Sequence, residues 1–392
     1  MRTTCAAILF FLLAACGAAR PSATSLIPTA DPSRPLLFAV LEANGTANAW
    51  TYNTVAIAGL DGHARATATF APMPVPDLGC MGAVIPESAH VAAGKVFFSD
   101  ASGVVRSLAS DGTVTTVANF PLTSSQQMLS FAVSPDGGRV LATVFTVPKN
   151  ALTCDGSLPT TPFTLDAYSA ASGQASRLIY HQSWTQPQNV LALTGWNSIG
   201  PFGTYPTVWA TQGGGPGSTL GVFVRIDATT MKAGAVFSDP SACQVWDSVS
   251  SGAFVCLRDG VVSGGGTAEQ KVLQPVSIRG ADGTELWQST VTGQNAPFGP
   301  YLAPDGQHAM ICCNDLNLTD PHELLIGRDG SQVDLAKGFY PTGWLNASTG
   351  IGYMNLDPVQ QAPSAIAYVV SSAPGTIVSL GFAGTFVGTV RA

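Results

Sequence analysis

Charge is the scarcest property of this chain. Only 10% of its 392 residues are Asp, Glu, Lys or Arg, against about 25% in an ordinary soluble domain. The 17 Lys and Arg residues form no basic run, and 24 acidic residues leave a net charge of −7. A nucleic-acid partner is therefore excluded, because gripping a phosphate backbone takes clustered positive charge. Long apolar runs are missing as well. The N-terminal one covers residues 5–15, well short of the roughly 20 residues that span a bilayer. The apolar stretch from Ile366 onward is broken by Ser371, Ser372, Pro374, Gly375 and Gly381. No segment sustains a 3.6-residue apolar period, so amphipathic helices are not the building unit.

Linear catalytic signatures are also lacking. There is no Gly-x-Ser-x-Gly elbow and no His-Glu-x-x-His pair, and His63, His90, His181, His308 and His322 are scattered. The cysteines show no zinc-site spacing. Asp315, Asn317, Asp320 and Glu323 crowd one loop with oxygen donors, but Asp320 stands where an EF-hand loop needs glycine. A solvated turn is expected there, with no metal and no cofactor.

Glycine, by contrast, is abundant at 42 residues, with 27 prolines. Runs of four to eight apolar or β-branched residues, such as 140–144, 222–226 and 366–370, alternate with Gly, Pro, Asp and Ser turns. That pattern predicts an all-β chain. Within it, Ala132-Val133-Ser134-Pro135-Asp136-Gly137 precedes one apolar strand and Tyr301-Leu302-Ala303-Pro304-Asp305-Gly306 another. Pro-Asp-Gly supplies a preset φ, a side chain that closes a local turn and a residue free to take positive φ. Looser copies at Trp196, Trp246 and Trp344, with first-strand candidates near Val40 and His90, give starts near 40, 90, 132, 196, 246, 301 and 344. A repeat of about 40 to 50 residues carrying four short strands is a propeller blade. The expectation is a β-propeller of seven four-stranded blades over residues 36–392, with a two-sheet sandwich pair as the alternative. The Ser-Pro-Asp-Gly hairpin, complete at residues 134–137 and nearly so at 303–306, resembles the TolB-like and WD40-like bacterial propeller repeats.

The N-terminus carries a separate message. Met1 and Arg2 precede the short apolar run, as in a secretory signal peptide. The run ends in Leu13-Ala14-Ala15-Cys16, which resembles the lipobox of bacterial lipoproteins. That resemblance implies cleavage after residue 15 and lipidation of Cys16; ordinary signal cleavage after Ala19 is the alternative. Residues 17–35 are rich in Ala, Pro, Ser and Thr without apolar periodicity, so 16–35 reads as a flexible, lipid-anchored tether. As a coil its reach is on the order of 25 Å. The expected location is the cell envelope, lipid-anchored on the extracytoplasmic side or in the periplasm. Gly17 lacks the aspartate that retains lipoproteins at an inner membrane, which favours the outer membrane where there are two.

Exported chains keep disulfides. Cys243 and Cys256 flank a hairpin and are expected to oppose each other; Cys80 and Cys154 form a second candidate pair. Cys312 and Cys313, consecutive on a strand, point to opposite faces, which disfavours a mutual bond. In a four-stranded meander the first and third turns share one end. The turns at 135–137, 171–173, 281–283, 304–306, 328–330 and 373–375 are short, whereas the connections 147–162, 211–219, 259–271, 314–322 and 355–364 are long. Long connections tend to carry function, so the loop-rich end is the expected binding surface, with channel-mouth candidates Glu87, His90, Gln127, Asn189, Gln244 and Tyr340. Residues 281–287 look like one turn of the tryptophan-docking repeat of quinoprotein propellers, but the other tryptophans occupy unlike positions, so Trp287 is read as a packing residue. The expected function is a membrane-tethered binding or scaffold module for another envelope protein or a small ligand. The alternative is a propeller enzyme, a lactonase, hydrolase or quinoprotein dehydrogenase; no catalytic residue is assigned.

Overall fold

The computed structural model describes residues 36–44, 51–74, 76, 89–149, 161–184, 191–197, 207–212, 222–228, 233–234, 244–248, 253–257, 261–263, 271–280, 283–293, 298–313, 322–336, 338–354, 364–369 and 376–390. Every regular element among them is a strand, and each strand pairing is antiparallel. The chain begins with β1 (Leu37–Asn44), β2 (Thr51–Gly59) and β3 (Ala64–Thr69), paired in that order. Four-stranded meanders follow. The first is β4 (Ala89–Ala92), β5 (Lys95–Ser99), β6 (Val104–Leu108) and β7 (Val114–Asn119). The second is β8 (Gln127–Val133), β9 (Arg139–Thr146), β10 (Phe163–Ala171) and β11 (Arg177–Trp184). The third is β12 (Leu191–Asn197), β13 (Thr207–Gln212), β14 (Val222–Asp227) and β15 (Ala233–Gly234).

A five-stranded sheet comes next, made of β16 (Gln244–Ser248), β17 (Phe254–Leu257), β18 (Val261–Ser263), β19 (Lys271–Arg279) and β20 (Glu285–Gly293). Then come the meander β21 (Phe298–Leu302), β22 (His308–Cys313), β23 (His322–Gly327) and β24 (Gln332–Asp334), and finally β25 (Phe339–Asn346), β26 (Thr349–Met354), β27 (Ser364–Val369) and β28 (Thr376–Val390). First strands of successive sheets lie side by side: β4 with β8, β8 with β12, β16 with β21, β21 with β25. Apolar clusters fill the spaces between neighbouring sheets. Phe97 and Phe120 meet Phe131, for example, and Trp287 and Val291 meet Leu302 and Ile311. Meanders stacked face to face around a set of adjacent first strands are the arrangement of a β-propeller.

Two sequence expectations need correction. The strand near Val40 is not the first strand of its sheet. β28 is long enough to serve twice: residues 376–383 pair with β27, and residues 384–390 pair with β1, Glu42 opposite Gly384 and Leu37 opposite Val390. The C-terminal strand thus occupies the first position of the N-terminal sheet. Secondly, the connection 259–271 is not wholly loop, because β18 pairs residues 261–263 with Lys271–Leu273 of β19. The chain uses its β-branched Val261 and Val262 to lengthen a hairpin where a bare connection was expected.

The tight turns are built to one design. Gly59, Ala109, Gly280 and Gly327 each accept a backbone bond from a glycine three residues on, and each donates to the carbonyl four residues on, at 2.8–3.1 Å. Those glycines, Gly62, Gly112, Gly283 and Gly330, have φ between +76° and +87°, a conformation that only glycine adopts without a steric cost. The aspartates before three of them, Asp61, Asp111 and Asp329, accept the amide two residues on at 2.9–3.2 Å. Ser134-Pro135-Asp136-Gly137 keeps the glycine bond, Gly137 N donating to the Ser134 carbonyl, but Ser134 N reaches the carbonyl five residues on, at Arg139, and the turn adds a hydroxyl. Ser134 Oγ accepts from the Arg139 amide at 2.9 Å and donates to Asp136 Oδ1. In the related turn at 303–306 the serine is replaced by Ala303, and the turn keeps its backbone bonds at 2.8–2.9 Å and the bond from Gln307 N to Asp305 Oδ1.

One side-chain hydrogen bond within a folded domain contributes about 1 kcal/mol. Ser134→Ala is therefore expected to lower unfolding stability by about 1–2 kcal/mol in a denaturant titration, while Ala303→Ser raises it by about 0.5–1 kcal/mol. Equal and opposite effects would show that one hydroxyl, rather than the proline or glycine, separates the two hairpins.

Candidate functional site

Four of the six channel-mouth candidates lie in described strands. His90 lies in β4, Gln127 opens β8, Gln244 opens β16 and Tyr340 lies in β25, each the first strand of its sheet. Glu87 and Asn189 lie outside the described residues. Gln127 is committed to its own turn. Its Oε1 accepts from the Thr123 amide at 2.6 Å, the Thr123 hydroxyl at 3.2 Å and the Ser124 amide at 3.2 Å, and its Nε2 donates to Thr146 Oγ1 at 3.2 Å. Such a side chain fixes the approach to β8 and has little capacity left for a ligand.

His90 is different. It pairs with Phe97 across β5, and its ring meets Phe131 of β8 edge-on, 4.8 Å between centroids. The residue keeps some exposed surface, but its Nε2 is sealed from solvent and meets no hydrogen-bond partner among the described residues. Burial pushes its pKa down to about 4, opposed by a hydrogen bond to the Phe131 backbone. A neutral imidazole wedged between two sheets is thus a packing group with an unused nitrogen.

Tyr340 stands directly across from Tyr353 of β26. Tyr353 escaped the sequence reading, yet it donates its hydroxyl to the Gly384 carbonyl at 2.7 Å and so staples the C-terminal strand to the preceding sheet. Burial raises its pKa to about 12, with a bond from Thr385 opposing and the nearby Tyr52 adding to the rise. Its only sequence signal was an aromatic residue in an otherwise glycine-rich strand.

The cysteines are only partly visible. Cys256 is fully buried and disulfide-bonded, but Cys80, Cys154 and Cys243 lie outside the described residues. The residue opposite Cys256 is Val245 of β16, and the expected pairing of Cys256 with Cys243 involves a residue outside the described ones. Cys312 and Cys313 end β22. Glu323 belongs to β23 and is 2% exposed, so it is a strand residue rather than part of a solvated loop; Asp315, Asn317 and Asp320 lie outside the described residues. Among the described residues no group of three His, Cys, Asp or Glu side chains is placed to hold a metal ion. Trp287 packs into the neighbouring sheet and donates Nε1 to the Gly306 carbonyl at 2.7 Å. Its counterpart Trp344 donates to the Tyr301 carbonyl at 2.8 Å from the other side. Cys16 and the tether lie outside the described residues.

No family model and no curated protein sequence matches the chain. Several solved structures are similar at 14% identity or less. An oligogalacturonate lyase in complex with manganese is similar at TM-score 0.49 and 9% identity over 79% of this chain and 80% of that one. The β-propeller domain of the Trilobed protease from Pyrococcus furiosus is similar at TM-score 0.41 and 9% identity, over 75% and 84%. A putative TolB from Agrobacterium tumefaciens is similar at TM-score 0.33 and 14% identity, over 69% and 83%.

The environment of His90 gives a pH dependence with a definite sign. Its folded pKa lies below its unfolded value of about 6.5, so below that pH the unfolded chain binds a proton that the folded chain refuses. Stability is unaffected by His90 above about pH 7, falls as pH drops from about 6.5 to about 4, and levels off below that. The full span is on the order of 3 kcal/mol. Urea titrations at pH 7, 5.5 and 4 are expected to show this slope in the wild type and a shallower one in His90→Gln.

Proposed function

We propose that this protein is a seven-bladed β-propeller held in the cell envelope by a lipid on Cys16, and that it binds a partner through the end opposite its tight turns. Splitting β28 at residues 383/384 leaves seven four-stranded units, one of them extended by β18. In this reading residues 1–15 are a signal peptide, residues 16–35 a tether and residues 36–392 the propeller.

The observation that carries the functional reading is the contrast between the two ends of the sheets. One end is closed by short turns saturated with backbone and aspartate hydrogen bonds. Such turns present few unused groups. The other end carries connections between β9 and β10, β22 and β23, and β26 and β27 that far exceed the few residues needed to join antiparallel strands. The connection between β5 and β6 is the compact exception, with Asp100 accepting from Ser102, Val104 and Arg106.

Anchoring is tested first. Cys16→Ser is expected to move the protein from the detergent phase to the aqueous phase or to leave it unprocessed, and an intact mass beginning beyond Cys16 overturns the lipid reading. Binding is tested by replacing residues 264–270 with a short Gly-Ser link, which spares β18. The variant is expected to keep the wild-type melting profile while losing capture of solubilised envelope proteins, and a variant altered at the Asp329 turn is expected to retain capture. Purified protein is also screened against lactone, ester and quinone-coupled alcohol substrates. Turnover that disappears with Glu87→Gln or His90→Gln would replace the binding reading with the enzyme one.

A further inference from the structure

Among the described residues seven large apolar side chains are exposed, and six of them share one place in the repeat; Leu273 is the exception. Leu60 lies in the Gly59–Gly62 turn that leads into β3. Val114 opens β7, Leu178, Leu286 and Val333 are the second residues of β11, β20 and β24, and Val378 is the third residue of β28. The strands β3, β7, β11, β20 and β24 are the outermost of their sheets, and the first half of β28 pairs with β27 alone. All six side chains therefore belong to the outer margin of the sheets, at the end closed by the tight turns.

Three contacts between sheets bring these positions together in pairs. The turn at Gly62 lies against β28, where a Cβ on the glycine would stand 3.4 Å from the Leu380 carbonyl oxygen, so Leu60 is beside the strand of Val378. Gly173 N donates to the Val117 carbonyl at 2.9 Å, which sets the turn before Leu178 on the strand of Val114. Gln332 Nε2 donates to the Thr290 carbonyl at 2.9 Å and to Ser289 Oγ at 3.1 Å, which sets Val333 beside the strand of Leu286. Polar groups at the same end are bonded within the chain. Asp111 and Asp329 accept the amides of Thr113 and Ser331, and Asp61 and Glu285 pair with Arg65 and Arg279. Turns of this kind have few water bonds to give up when they leave bulk water. The chain also enters the fold here: Leu37, the first residue of β1, stands opposite Gly59, which opens one of the tight turns.

We propose that the tight-turn end lies on the lipid bilayer, with these six side chains entering the interface as an apolar rim, and that the loop-rich end is thereby held facing away from the membrane. This orientation rests on the lipid on Cys16 and on the ring of sheets proposed above. Residues 16–35, as a coil, reach on the order of 25 Å, and they join the fold at its tight-turn end, so the anchor acts from beneath the rim. No rim residue is further along its strand than the third position; at about 3.3 Å per residue that depth lies within the roughly 5–10 Å to which apolar groups enter the headgroup boundary. The lipid supplies the hold and the rim supplies the orientation. Paired charges of both signs, without a basic run, suit zwitterionic headgroups rather than an anionic surface.

The full chain is reconstituted on phosphatidylcholine vesicles, where flotation reads the anchor and amide hydrogen exchange reads the orientation. A variant carrying Leu178→Ser, Leu286→Ser and Val333→Ser is expected to float as the wild type does. Residues 110–116, which the variant leaves untouched, are expected to exchange several-fold more slowly in the wild type than in the variant, while residues 100–103 at the opposite end exchange alike in both. A second variant, Leu60→Ser with Val114→Ser, is read in the same way at residues 174–180. Wild type that floats but exchanges at 110–116 as fast as the variant overturns the orientation and leaves the anchor standing. Wild type that does not float overturns the anchor and the orientation together. Slowing at these segments that appears in detergent and grows with protein concentration assigns the rim to a second copy of the chain and overturns the lipid reading.

Discussion

The structure depends on one strand being shared. A row of meanders has an open first strand and an open last strand, and open edges invite pairing with other chains. Here β28 removes that edge by pairing with β27 over its first half and with β1 over its second. Because the two halves meet at residues 383/384, the glycines there carry the geometric load. Gly381 has φ +70° and Gly384 φ +153°, and a side chain at Gly384 would collide with the backbone of β1. Tyr353 and Thr389 then tie the shared strand to the preceding sheet, the latter donating to the Trp344 or Leu345 carbonyl. N-terminal and C-terminal residues must therefore come together before either terminal sheet is complete, a contact of very long sequence separation that slows folding.

Between the sheets, the same problem is solved repeatedly by small residues and by a few directional bonds. First strands approach closely where glycine or serine permits. Gly388 faces Val91, Gly343 faces Phe386, and Ser130 Oγ accepts from the Leu193 amide of the next sheet at 2.8 Å. Broad aromatic groups bridge the remaining gaps. Trp287 and Trp344 approach β21 and its hairpin from opposite sides, and Arg139 lies 5.6 Å from the Trp196 ring centroid. A chain with so little charge fastens neighbouring sheets with hydroxyls, indoles and backbone carbonyls, which need no counter-ion when buried.

Much of this was legible in the sequence. The all-β character followed from the alternation of short apolar runs with turns, and β4, β8, β12, β16, β21 and β25 lie at the expected first-strand starts near 90, 132, 196, 246, 301 and 344. Val40 misled because sequence order and spatial order part company at a shared strand; nothing local to residues 37–44 reveals that residues 384–390 precede them in the sheet. Tight turns such as Arg328-Asp329-Gly330 were written in the sequence, since only the glycine takes the positive φ that the design requires. The site was less legible. The commitments of Gln127 to Thr123, Ser124 and Thr146 depend on a turn and a neighbouring strand that composition does not display.

Scarcity of charge makes the position of each charge informative. Among the described residues, several paired charges lie where backbone amides and cations are close at hand: Asp61 and Arg65 bracket one tight turn, Arg279 and Glu285 another, and Asp305 accepts from Gln307 at a third. The Asp61–Arg65 pair is close to half exposed and the Arg279–Glu285 pair is more buried; they shape turns. Glu42 occupies the opposite situation, beyond the last apolar residue of a seam, on strands that supply no cation. Selection for stability alone favours a neutral residue at such a place, since a glutamine or threonine would border the same seam without the cost of a lone carboxylate. The end of the molecule remote from most of the tight turns is thus also the end where Glu42 stands without a partner among the described residues.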